Sequence, residues 1–164
     1  MRLLALLLAA LVSVTCTSDE DAGLCEGVPS EMVSLAVASR FEDAPLADGD
    51  SMPVFVPPQG GIATEFDLSL VGVGLDTVDE LRLQVVRVVG GASVAAVNYS
   101  GAGLPLECVQ EGELRVRAVP VPFSDDLTLE GLGGLEVQVV GTLVRTDGVE
   151  AEFRVQVVLD SAMY

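Results

Sequence analysis

Between Val149 and Leu159 the side chains alternate in character, with Val149, Ala151, Phe153, Val155, Val157 and Leu159 on one face and Glu150, Glu152, Arg154 and Gln156 on the other. Successive side chains of an extended strand point to opposite sides, so this segment is predicted as an antiparallel strand with one buried and one wet face. Just upstream, Leu135-Glu136-Val137-Gln138-Val139 starts another strand, and Asp147-Gly148 is a type I′ turn signal that makes the two a C-terminal hairpin. The same alternation runs through Ile62 to Leu70 and through Leu114-Arg115-Val116-Arg117-Ala118-Val119. Met32 to Phe41 and Ala92 to Tyr99 are read as further strands. Leu81 to Val89 is ambiguous, because Thr77-Val78-Asp79-Glu80 has the form of a helix capping box. The valine-rich run Val85 to Val89 decides for a strand.

Between these segments lie turn clusters, Ala47-Asp48-Gly49-Asp50, Pro57-Pro58-Gln59-Gly60-Gly61 and Pro120-Val121-Pro122. Gly72-Val73-Gly74 and Gly131-Leu132-Gly133-Gly134 are also read as turns, since neither opens a helix inside a βαβ unit. Seven or eight short strands without a convincing amphipathic helix predict an all-β fold. The expected form is an antiparallel β-sandwich with an immunoglobulin-like Greek key. A chain of 164 residues is enough for one such domain after a leader is removed.

The leader is Met1-Arg2 followed by the apolar run Leu3 to Val14, which is too short to span a bilayer and has no polar face for a core helix. Residues 1–15 are therefore expected to be a signal peptide. Ser13-Val14-Thr15-Cys16 resembles the lipobox of bacterial lipoproteins, although leucine is usual where Ser13 stands and a smaller residue where Thr15 stands. The resemblance implies acylation of Cys16, with residues 16–29 as a polar tether and 30–164 as the sandwich. Soluble secretion after ordinary cleavage is the competing reading. With Cys16 lipidated, Cys25 and Cys108 form an even pair in an oxidising compartment, and a disulfide between them is expected; two separate buried thiols are the alternative.

Twenty-five acidic residues and seven of the eight arginines follow the leader, leaving a net charge of −18 and no lysine. Nucleic acid is excluded as a partner, and attachment to a membrane must come through the anchor. The chain also has no histidine and no tryptophan. Ser-His-Asp, Cys-His, Schiff-base and His-ligated zinc chemistries are thereby excluded. Only a pair of carboxylates, as in glycoside hydrolysis, remains for catalysis, and no pair stands out.

Calcium is the one cofactor the composition allows, with Glu42, Asp43, Asp48 and Asp50 as one candidate cluster and Asp125-Asp126 as another. Neither has EF-hand spacing. Arg115 and Arg117, on the outward face of their strand, are expected to pair with acids across strands; holding an anionic ligand is the alternative.

The stretch from Asp48 through Ser51-Met52-Pro53-Val54-Phe55-Val56-Pro57-Pro58-Gln59-Gly60-Gly61, with the strand that follows to Gly72, resembles uncharacterised lipoproteins of myxobacteria and their relatives over about 25 residues. That resemblance implies a Pro-Gln-Gly-Gly turn leading into a strand of a sandwich and brings no activity with it. In those sequences an aromatic residue or histidine often follows the turn closely, where this chain has Ile62 and Ala63. The expectation is a non-catalytic module anchored in a bacterial envelope, in an outer membrane, and acting through an unknown protein partner or as a structural element. Calcium-dependent adhesion or glycan binding is the alternative.

Overall fold

Alternate side chains along nearly every strand are buried in the computed structural model, which describes residue 25 and residues 32–40, 44–110 and 112–161. Among the described residues nine strands run in chain order: β1 (Ser34–Ser39), β2 (Ser51–Pro53), β3 (Ala63–Val71), β4 (Val78–Arg87), β5 (Ser93–Ser100), β6 (Leu106–Gln110), β7 (Glu113–Pro122), β8 (Glu136–Arg145) and β9 (Glu150–Asp160). They form two sheets, ordered β1-β3-β7-β6 and β2-β9-β8-β4-β5. The inner faces meet through Val37, Phe66, Leu68, Leu70, Leu114 and Val116 from the first sheet, and Leu81, Leu83, Val139, Leu143 and Val157 from the second.

This strand order defines the class. β1, β3, β7 and β6 occupy the A, B, E and D places of an immunoglobulin sandwich, β9, β8 and β4 occupy G, F and C, and β5 adds a C′ strand. The first strand region is shared between the sheets. After β1 pairs antiparallel with β3, the chain crosses over, and β2 lies parallel to the end of β9 with Met52 opposite Leu159.

The seven expected strands are all present, and two short ones join them. β2 and β6 contain three and five residues, too few for an alternation to be read, and Pro53 ends the first of them. The first strand stops at Ser39; Phe41 lies outside the described residues. Pro120-Val121-Pro122 is not a turn but the end of β7. The prolines are tolerated because β6 stops pairing at Val116, so that stretch of β7 is an edge and needs no donor on its open side. Gly131 and Leu132 close a single helical turn, α1 (Leu129–Leu132), capped by the Thr128 hydroxyl, which accepts from the Gly131 N–H at 3.2 Å.

One irregularity reorients a face. Asp67 of β3 is opposed by both Arg117 and Ala118 of β7, a β-bulge in which Ala118 has a left-handed φ of 53°. The extra residue shifts the alternation by one. Leu114 and Val116 before it, and Val119 and Val121 after it, all face the core. The Asp67 carboxylate accepts the Ala118 N–H at 2.8 Å and holds the bulge.

Cys25 and Cys108 are joined, with Cα atoms 5.8 Å apart and a separation of 83 positions in sequence. The bond ties the N-terminal arm to β6 at one end of the sandwich, where Leu75 N–H also donates to the Cys25 carbonyl at 3.2 Å. It differs from the bridge of antibody domains, which crosses between the sheets. A link closing so long a loop restricts the unfolded chain, and its reduction is expected to cost about 2–4 kcal/mol. Urea melts with and without reductant measure that loss; coincident melts would mean that the arm adds nothing to the folded state.

Candidate functional site

Three loops and the N-terminal arm share one end of the molecule. Gly72 follows β3 with φ at 81°, where its N–H donates to Gly112 O in the β6–β7 turn at 2.8 Å. Arg145, at the end of β8, is only 6% exposed. Its Nη1 donates to Gly72 O at 3.1 Å, its Nε donates to Asp147 Oδ1 at 3.0 Å, and its Nη2 donates to the other oxygen of Asp147. The guanidinium thus ties the β3–β4 loop to the β8–β9 turn. Its hydrogen bond, supported by the Val149 N–H, holds the Asp147 carboxyl down at about 2.

The residues singled out in the sequence fall in several places. Cys16, Glu42 and Asp43 lie outside the described residues. Asp48 and Asp50 serve backbone: Asp48 Oδ1 accepts from Gln156 N–H at 2.8 Å, and Asp50 Oδ2 accepts from Ala47 N–H at 2.7 Å. Asp125 and Asp126 stand exposed in the loop before α1. Among the described residues no three carboxylates or thiols gather closely enough to hold a metal ion. Arg117 pairs with Glu107 on β6 at 3.1 Å, both more than half exposed. Arg115 and Arg117 border a depression of about 380 Å³ on the outer face of the first sheet, with Ala36, Ala38 and Asp67 around it.

A second concavity was not legible in the sequence. Where β6 ends, the open edge of β7 faces β5 across a groove of about 480 Å³, lined by Phe55, Ile62, Val97, Tyr99, Pro120 and Phe123. Gln59, Gly60 and Gly61 of the Pro-Gln-Gly-Gly turn border it, with Glu65 and Asp125. A smaller cleft of about 170 Å³ continues on the other side of Tyr99 and Pro120, past Ala118 to Leu104. The Tyr99 hydroxyl donates to Pro120 O at 3.4 Å, fixing the ring between the two hollows. Burial raises the Tyr99 pKa and keeps the phenol a neutral donor. Phe55, Tyr99 and Phe123 are three of the five described aromatic residues, brought together from three distant segments.

Fold and site together define an immunoglobulin-like sandwich with an apolar groove on its open side. No protein-family model matches the chain. No curated protein matches it either. Among solved structures it is similar to a DUF4466 family protein from Parabacteroides merdae, with 13% identity and a TM-score of 0.34, covering 77% of this chain and 44% of that one. It is also similar to murine CRIg, with 8% identity and a TM-score of 0.35, over 81% of this chain and 98% of that one. The assignment of fold rests on the strand order.

Two outcomes are expected of variants at these features. A carboxyl whose pKa falls on folding stabilises the protein above its unfolded value of 3.8, and that contribution fades as pH drops through about 2. Asp147→Asn should therefore melt below the wild type at neutral pH, with the gap closing in acid; thermal melts across that range check it, and a gap independent of pH would refute the coupling. At the bulge, a left-handed conformation costs an L-residue about 1–2 kcal/mol. Ala118→Gly should hold or raise the melting temperature and Ala118→Val should lower it, the reverse of the order at a regular strand position.

Proposed function

We propose that the chain is an exported, non-catalytic module held at a bacterial cell envelope through an acylated Cys16 and working by contact with another protein. The observation that carries this reading is the pinning of the arm: Cys25 is bonded to Cys108 beside the β3–β4 loop, at the end clamped by Arg145. From Cys16 to Cys25 is nine residues, a reach of at most about 30 Å. A lipid on Cys16 would hold that end toward the bilayer and turn the Pro57–Gly61 turn outward.

Further support comes from chemistry. The disulfide belongs in an oxidising compartment. A chain without histidine or lysine lacks the usual bases that activate a nucleophile, which favours binding over catalysis. The lipobox-like Ser13-Val14-Thr15-Cys16 and the resemblance around Pro57-Pro58-Gln59-Gly60-Gly61 point the same way.

Intact mass on protein recovered from the membrane fraction of a bacterial host tests the anchor. The expected mass is that of residues 16–164 plus acyl chains, two hydrogens lighter before reduction than after, and Cys16→Ser should leave the membrane fraction. A soluble wild-type product cut elsewhere would overturn the reading.

A further inference from the structure

We infer that the groove between β5 and β7 docks an extended segment of a partner protein in which apolar side chains are flanked by lysine or arginine. This deepens the contact reading above and rests on it.

The groove is open because two paired strands differ in length. β7 has ten residues and β6 has five, so β7 between Val116 and the Ala95–Phe123 bridge to β5, where Ser124 N–H donates to Val94 O at 2.9 Å, has no paired strand on its β6 side among the described residues. An unpaired edge ordinarily recruits another strand through its backbone. This one cannot do so fully. Phe123 N–H donates to Ile62 O on the β3 side, so by alternation the backbone groups of Pro120 and Pro122 face the open side, where neither residue has an N–H. The Pro120 carbonyl is already occupied by Tyr99. Recognition therefore passes from the backbone to side chains, and those on offer are Phe55, Ile62, Val97, Tyr99 and the prolines.

Two observations choose the occupant. The first is the state of the rings. Phe123 is 5% exposed, while Phe55 and Tyr99 are half-buried, with the Tyr99 ring held by its hydroxyl. Rings sunk in this way offer hollows for an inserted aliphatic side chain, whereas stacking of a sugar needs a broad free face. Hollows of about 480 and 170 Å³ on either side of Tyr99 suit side chains a few residues apart on an extended segment.

The second is charge. Asp125 at the mouth is exposed and has no partner among the described residues. Glu65, which also borders the groove, is offset by its ion pair with Arg40. Arg117, beside the smaller cleft, is offset by Glu107. With a net charge of −18 on the mature chain, the field attracts a cationic segment and repels an acidic one.

Phage display of random dodecapeptides against the full mature chain, followed by fluorescence anisotropy of the enriched peptides, tests the assignment. The expected peptides combine Leu, Ile, Val or Pro with Lys or Arg and lose affinity as salt rises. Tyr99→Ala should weaken them by at least about tenfold, as for a buried aromatic anchor. Asp125→Arg, at an exposed position that folding does not need, should weaken them several-fold and flatten the salt dependence. Enriched peptides indifferent to both substitutions would overturn the groove as the site and leave the contact reading standing. Failure to enrich any peptide would also overturn it. Binding on a glycan array that Tyr99→Ala abolishes would remove both this inference and the protein-contact reading.

Discussion

The two sheets meet tightly at Gly141, where a Cβ would stand 2.9 Å from Leu35 Cδ2 and 3.3 Å from Val37 Cγ2 on the facing strand, and 3.4 Å from Leu83 Cδ2 beside it. Absence of a side chain on β8 lets β1 settle onto the second sheet. Around this point the core is almost wholly aliphatic, with neither the tryptophan nor the inter-sheet disulfide that pins antibody domains. Each fully buried leucine or valine contributes roughly 1.5–3 kcal/mol, set against the entropy of ordering the chain. Cohesion of the sandwich is therefore spread over many contacts, and the covalent link is free to serve the arm.

From that arrangement the two ends and the side acquire different characters. At the end where the arm is bonded, backbone hydrogen bonds and the Arg145 guanidinium tie three loops together. Along the side, the short β6 leaves part of β7 uncovered, and the chain protects that stretch with prolines up to the Ala95–Phe123 bridge to β5. The bulge at Ala118 belongs to the same region. It returns Val119 and Val121 to the core while allowing the backbone of β7 to pass the smaller cleft. The proline-protected edge and the groove beside it are thus two consequences of one mismatch in strand length.

Much of this was legible in particular residues. Val149–Leu159 and Ile62–Leu70 announced strands because a half-buried antiparallel strand must alternate, and Asp147-Gly148 announced the turn between β8 and β9. The cysteine pairing followed from parity and compartment. Pro120 and Pro122 misled because proline removes a donor in any strand, and only the absence of a neighbour makes that harmless. Asp48 and Asp50 suggested a cation from composition; in the fold each carboxylate also accepts a backbone N–H, from Gln156 and Ala47. Phe55, Tyr99 and Phe123 carried no local signal, since none of them lies near the others in the chain.

By itself, then, the sequence determined the local conformation and the class of fold, because alternation, turn chemistry and charge act between residues close in the chain. It also delimited the chemistry, because histidine and lysine are absent from every position. Tertiary structure alone decided which edge is left open, which aromatics meet beside it, and which loops the arm is bonded against. Those features depend on how strands of unequal length pair and stack, and they join side chains separated by tens of residues through packing that no local pattern encodes.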